Sequence, residues 1–306
     1  MLRLLLSRLW QTPLVLAAVL LISFAMIWAM PGDPTVRDGS KQLPEQVTKA
    51  IQAQYHLDQG PAVFLSHYVW DAAHGDFGPS IRYDTLQVSD ILKKGLPVSA
   101  GLGLLALALA LILGTLAAII ATLWPRGWAE WLSTGLTLIG VSWPSFVTGS
   151  VFLYLGVTLL RLPIGGWDGP LNLILPTLTL SLAPAAYIAR LLRLGLAEVM
   201  AGDFIRTARA KGLTYDQALF RHALKVAYLP VLSFLGPAAA GTMTGSFIVE
   251  KLFNIPGIGQ DFVTAVQNKD PFLILGVVMV SATLLVFFNL LVDIAYAWVD
   301  PRIEVQ

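Results

Sequence analysis

The chain has 306 residues, of which 56% are hydrophobic and 13% charged, about half the charged share of an ordinary soluble domain, which excludes a water-soluble enzyme. The 20 Lys and Arg nearly cancel the 19 Asp and Glu, leaving a net charge of +1, so no basic face for a nucleic-acid partner is expected. Cysteine is absent, which excludes disulfides, thiolate metal sites and a cysteine nucleophile.

A helix crosses the hydrocarbon core with about 20 mostly apolar residues, because its backbone must be satisfied internally. Six windows free of Asp, Glu, Lys and Arg reach that length: 9–32, 95–125, 132–160, 169–189, 226–249 and 271–292. Trp10, Trp28, Trp124, Trp128, Trp131, Trp167 and Trp298 stand at or just beyond window ends, where amphipathic rings occupy the headgroup layer. Arg3 and Arg8 before the first window resemble a signal-peptide start, but the window is too long and ends in Ala29-Met30-Pro31-Gly32, without a small-x-small cleavage site; it reads as an uncleaved span.

Six spans put both termini on one side. That side carries 11 Lys or Arg in short connections (Arg3, Arg8, Arg126, Arg190, Arg193, Arg206, Arg209, Lys211, Arg221, Lys225, Arg302) against Arg161, Lys251 and Lys269 opposite. The bias predicts cytoplasmic termini. The chain then divides into a first span at 1–30, an external segment at 31–94 and a five-span core at 95–306, with a basic cytoplasmic segment at 198–225.

In the external segment, Pro44 begins a predicted helix with Val47, Ile51 and Tyr55 at four-residue spacing, and Pro61 begins another with Phe64/Leu65 and Tyr68/Val69; Gly75, Gly78 and Pro79 end the pattern. The second span carries Ala106, Ala110, Gly114 and Ala118, and the fifth carries Gly241 and Gly245, small residues expected to let helices pack closely. Pro144, Pro176, Pro184 and Pro237 fall inside spans, where the broken backbone bonds need a neighbour or a water-lined cavity. In the basic segment, Asp203 is expected to N-cap a helix from Phe204 that stops at Gly212, and Thr214-Tyr215-Asp216-Gln217 has the form of a capping box opening a second helix. Arg206, Arg209 and Lys211 then project from the first helix as a membrane anchor, a partner dock or a solvated face; pattern alone favours the anchor.

No Gly-Lys pair exists, so the chain has no P-loop. Gly101-Leu-Gly103-Leu-Leu-Ala106 matches a dinucleotide fingerprint in letters only, inside a long apolar window with no strand before it and no acid about 20 residues on. His56, His67 and His74 lack the i,i+4 spacing of a metal site. His222 beside Arg221 reads as a structural or docking residue. Glu250 and Asp293 lie at span ends, where hydration or pairing with Lys251 or Arg302 is the expected reading. The sharper reading is proton coupling, as in a secondary transporter. A receptor or scaffold using the external segment is the third class.

Several strings, in order, carry a family resemblance: Pro31-Gly32-Asp33-Pro34, Tyr55-His56-Leu57-Asp58, Gly75-Asp76-Phe77-Gly78-Pro79-Ser80, the run Asp203-Phe204-Ile205-Arg206-Thr207-Ala208-Arg209-Ala210-Lys211-Gly212, Arg221-His222-Ala223-Leu224, Leu229-Pro230, Ile255-Pro256-Gly257-Ile258-Gly259-Gln260 and Asp300-Pro301-Arg302. The chain resembles the membrane subunits of binding-protein-dependent ABC importers for peptides, and most of all their B-type oligopeptide permease. The resemblance implies an all-α, six-span type I importer permease that does no covalent chemistry and binds no cofactor. It implies a second homologous permease, two cytoplasmic ATPases carrying ATP and Mg, an external peptide-binding protein, a peptide substrate and surrounding lipid. It also implies that 203–212, with Arg221 and His222, dock an ATPase as a coupling helix. Arg206, Thr207 and Ala208 stand at the family's Glu-Ala-Ala positions and Gly212 at its motif glycine, which turns the reading from anchor to dock. Dipeptides, glutathione-like peptides and nickel complexes are the alternative solutes of such a permease.

Overall fold

A computed structural model describes residues 2–29, 46, 49, 53, 59–80, 86–125, 127–243 and 247–299, which contain helices and a single isolated β-bridge. In chain order the helices are α1 (Leu2–Trp28), α2 (Pro61–Ala73), α3 (Val88–Leu123), α4 (Trp128–Ser142), α5 (Ser145–Leu160), α6 (Pro170–Met200), α7 (Asp203–Ala210), α8 (Tyr215–Ala218), α9 (Leu224–Ala227), α10 (Leu229–Met243), α11 (Phe247–Leu252), α12 (Ile258–Gln267) and α13 (Pro271–Val299). Most of the helix predicted from Pro44, with His56, Gly245 and the motifs around Gly32 and Pro301, lies outside the described residues.

Among the described residues, five stretches are long and apolar enough to cross a membrane: Trp10–Trp28, Val88–Leu123, Pro170–Met200, Leu229–Leu252 and Pro271–Ile294. The window at 132–160 is filled by α4 and α5 in series. Trp143 and Pro144 are extended, at φ −86, ψ 128 and φ −57, ψ 142, because Pro144 has no N–H to continue the ladder and excludes its predecessor from the helical region. Both residues are uncharged, so a window defined by absent charge runs through the break. Helices also overrun the windows. The 36 residues of α3 start at Val88 and include Asp90, Lys93 and Lys94, making a rod about 54 Å long whose polar first turns extend past the hydrocarbon. At the other end of the bundle α6 continues to Met200 and takes Arg190 and Arg193 with it.

α3 packs most extensively against α6, and also against α10. Ala106, Ala110 and Ala118 are fully buried. A Cβ on Gly103 would lie 2.4 Å from the Thr242 carbonyl oxygen, and one on Gly114 would lie 2.6 Å from that of Ala185, so backbone meets backbone where the small residues fall. Gly241 corrects the expectation from spacing: a Cβ there would meet nothing within 4 Å. It faces open space rather than a neighbouring helix.

At one end, Phe64 and Tyr68 of α2 are buried against the α1 and α13 aromatics, with the Phe64 ring 5.7 Å from Phe24 and 5.6 Å from Phe272. Ser80 donates to Asp270 Oδ2 at 2.7 Å, while Asp270 Oδ1 accepts the Leu273 N–H at 3.1 Å and caps α13. The segment after α2 is thus fastened to the last span. At the opposite, basic end, Leu192 and Leu196 of α6, Ile205, Leu219 and Val231 form a second core.

Candidate functional site

The basic surface is built on α7 and α8. α7 begins at Asp203 behind Gly202, whose φ −70, ψ 154 make it the N-cap without a side-chain bond. This corrects the expected Asp203 cap: the carboxylate sits one position inside the helix and accepts from Arg206 at 3.1 Å. Both groups are highly exposed, so the pair contributes little. The Thr207 hydroxyl donates to the Asp203 carbonyl at 3.0 Å. Ile205 is 1% exposed and anchors α7 in the basic-end core. Phe204, Arg206, Thr207, Arg209, Ala210 and Lys211 remain exposed around it, with Ala208 intermediate.

Gly212 ends the unit at φ 96, in the left-handed region that side chains with a Cβ resist. Space is not its constraint, since a Cβ would meet nothing within 4 Å. The capping box is complete: Thr214 Oγ1 accepts the Gln217 N–H at 3.3 Å, and Gln217 Oε1 accepts the Thr214 N–H at 3.2 Å. The Arg209 guanidinium stands 6.0 Å from the Tyr215 ring centre, joining the two helices across the turn. α8 then runs into a π turn, Leu219–Ala223. Leu219 and Ala223 are buried while Phe220, Arg221 and His222 are exposed. Phe220 joins the basic pair on this surface, and its signal in the sequence is a large apolar residue between the core residue Leu219 and Arg221.

A second site lies among α4, α5, α6 and α10, a cavity of about 330 Å3 bordered by Trp143, Ser145, Thr148, Thr179, Pro184, Tyr187, Pro237 and Gly241 among others, none of them charged. Its threonines turn their hydroxyls onto their own helices: Thr148 donates to the Ser145 carbonyl at 3.0 Å, Thr179 to Leu175 at 2.8 Å and Thr242 to Ala238 at 2.9 Å. The Tyr187 and Phe234 rings stack on one side with centres 5.2 Å apart. Pro184 offers no N–H to the carbonyl of Leu180, which borders the same space. The prolines at 144, 184 and 237 mark this place in the sequence; the aromatic and glycine positions around them were not separable by hydropathy.

The two acids do not form one site. Glu250 is fully buried, which corrects the expectation of hydration or pairing with Lys251; its Oε2 accepts the Gly259 N–H at 2.8 Å. Arg302 lies outside the described residues. Asp293 is partly buried, 22 residues into α13, about 33 Å along its axis, whereas Glu250 sits beside Ile258 at the helix's beginning. Arg193 has a partner that hydropathy did not suggest: it meets Glu130 of α4 at 2.6 Å. His74 Nδ1 lies 2.7 Å from the Trp70 carbonyl, and among the described residues no cluster of three potential metal ligands occurs.

The family described as the binding-protein-dependent transport system inner membrane component matches residues 98–305, and the chain belongs to that family. It is 42% identical to the oligopeptide transport system permease protein OppB of Salmonella typhimurium, over 99% of this chain and 100% of that one. It is 36% identical to the dipeptide transport system permease protein DppB of Bacillus subtilis, over 100% of this chain and 99% of that one. Two solved structures share its fold: an amino acid ABC transporter, with TM-score 0.53 and 18% identity over 69% of this chain and 94% of that one, and the inward-facing MetNI methionine ABC transporter, with TM-score 0.52 and 15% identity over 68% and 94%.

Proposed function

We propose that the chain is one of two homologous permease subunits of an ATP-driven importer and forms half of the pathway by which peptides cross the cytoplasmic membrane. The observation that carries this reading is the end-to-end similarity to oligopeptide and dipeptide permeases. In this reading both termini and the α7–α8 unit are cytoplasmic, by the Lys and Arg bias of the connections, and α2 and α12 are external. An external binding protein delivers peptide, and two cytoplasmic ATPases carrying ATP and Mg supply the work. No residue of this chain takes part in hydrolysis.

The coupling site is the exposed face of α7 with Phe204, Arg206, Arg209 and Lys211, continued by Phe220, Arg221 and His222. A short helix locked to the core by Ile205 transmits a push that a flexible loop would absorb. The cavity between α4, α5, α6 and α10 faces the pathway. Its uncharged wall suits a carrier of varied peptides, because a fixed charge there would favour one sign of side chain and repel the other; selection then rests largely with the binding protein. The secondary-transporter reading loses ground on the separation of Glu250 from Asp293, which leaves these two acids too far apart to relay a proton directly between them.

The test is reconstitution of the chain with its co-purifying partners in proteoliposomes. Peptide uptake should require ATP and the binding protein and should persist without a proton gradient. Uptake by the chain alone under a proton gradient would overturn the proposal.

A further inference from the structure

The N-terminus of α12 is held in an unusual way. A helix leaves its first N–H groups without partners, and the N-cap of α12 is Gly257, which has no side chain to offer. Two other helices supply the acceptors. Ser99 Oγ of α3 accepts the Ile258 N–H at 3.0 Å, and Glu250 Oε2 of α11 accepts the Gly259 N–H at 2.8 Å. The Ser99 hydroxyl and Glu250 Oε2 both converge on Gly257, where an added Cβ would touch each of them. Ser99 and Glu250 are both fully buried. The Glu250 carbonyl closes the turn by accepting the Ile255 N–H at 2.9 Å and the Gln260 amide at 3.2 Å.

The glycines of the turn fit this arrangement. A Cβ on Gly257 would lie 2.4 Å from both Glu250 Oε2 and Ser99 Oγ, and one on Gly259 would lie 2.6 Å from Glu250 Oε2. On the α3 side, a Cβ on Gly95 would lie 2.9 Å from the Ile258 nitrogen. Gly95 and Ser99, one turn apart, present a small surface against which the α12 backbone rests. A carboxylate accepting at a helix N-terminus is well matched to the helix dipole, and removing it strands a buried N–H.

We propose that Ser99 and Glu250 form a clasp that caps α12 from two spans at once, making them positioning residues for transport: the clasp holds α12 in register only while the ends of the second and fifth spans stay together. Separation of α3 from α11 breaks one acceptor or the other, so α12 must follow one span and release its first turn. α12 thereby converts spacing between spans into its own tilt, on the face opposite the basic end. Only the transport role rests on the importer reading.

The test uses the complete importer assembly in lipid nanodiscs, with hydrogen exchange of the segment 258–267 and ATP-dependent peptide uptake as readouts for wild type, Ser99→Ala, Glu250→Ala, Glu250→Gln and Gly257→Ala. Loss of one buried acceptor should raise exchange in 258–267 and lower uptake by about tenfold in Glu250→Ala, with exchange of 203–225 unchanged. Glu250→Gln retains an acceptor oxygen and should stay within about twofold of wild type on both readouts. Gly257→Ala keeps both polar groups but wedges them apart, so it should reproduce Glu250→Ala; if Glu250→Ala does not accumulate, Gly257→Ala and Ser99→Ala decide. Unchanged exchange in 258–267, or Glu250→Gln as defective as Glu250→Ala, would overturn the clasp. A wild-type assembly that takes up no peptide would instead sink the importer reading, and the exchange pattern would still judge the clasp.

Discussion

Glycines at Gly103, Gly212 and Gly241 look alike in the sequence and have three different physical reasons. Gly103 is a contact glycine, with the Thr242 carbonyl 2.4 Å from where a Cβ would stand. Gly103→Ala should therefore destabilise the α3–α10 seam by about 1–3 kcal/mol, the usual cost of overpacking, whereas Gly241→Ala, with open space before it, should leave stability within about 0.5 kcal/mol. Thermal melting of the two detergent-purified variants checks this; equal melting points would contradict the packing argument. Gly212 is a conformational glycine: its φ of 96 penalises any Cβ by about 1–2 kcal/mol, while the space around it is free. Gly212→Ala and Gly212→Leu should consequently behave alike, both raising ATP hydrolysed per peptide transported at normal protein level. Gly212→Asn, which tolerates the left-handed region, should be milder. A graded effect of side-chain size would show that contact with a partner, not backbone shape, governs the site.

At the scale of elements, the windows located the long apolar helices, because absent charge is a property of the chain itself. Helix faces and breaks were less legible because they depend on neighbours. Thr214 and Gln217 announced their capping box, since that bond pattern is local. Asp203 invited a cap assignment, yet Gly202 occupies the position, and a one-residue shift turns a cap into an exposed ion pair. The division of 132–160 into α4 and α5 was signalled by Pro144, but the cavity it opens required α6 and α10 to be placed opposite. The burial of Glu250 is illegible to hydropathy, which has no knowledge of α12 folding back over it. The cavity carries its own prediction. Gly241→Leu adds a side chain where a Cβ meets nothing, so the protein should accumulate and assemble normally while the pathway narrows. Uptake of peptides with large side chains should fall by more than uptake of alanine or glycine peptides, measured by competition in proteoliposomes. A uniform loss across peptides would place the cavity outside the pathway.

At the scale of the whole molecule, two different arrangements occupy the two ends of the helix bundle. The basic end holds α7, the capping-box helix and the Arg193–Glu130 pair; the other end holds α2, the Ser80–Asp270 bond and the α12 turn. The long helices α3 and α6 join the two ends through a backbone-to-backbone seam at Gly114, a contact suited to carrying movement as rigid-body displacement instead of losing it in side-chain rearrangement. On the importer reading proposed above, the engine lies outside the membrane, which fits two acids held apart by about the length of α13 and a Glu250 that already serves as an acceptor for the α12 backbone. Asp293→Asn removes the ionisable group of α13 with nearly the same shape. If ATP drives the cycle, uptake by the Asp293→Asn assembly should remain within about twofold of wild type, and a protonophore should leave both unaffected while ATP is maintained. If a proton must pass through α13, the substitution should abolish accumulation and the protonophore should collapse it in wild type. Measuring both in the same vesicles, with ATP regenerated throughout, separates a carrier that uses its carboxylates as a motor from one that uses them as structure.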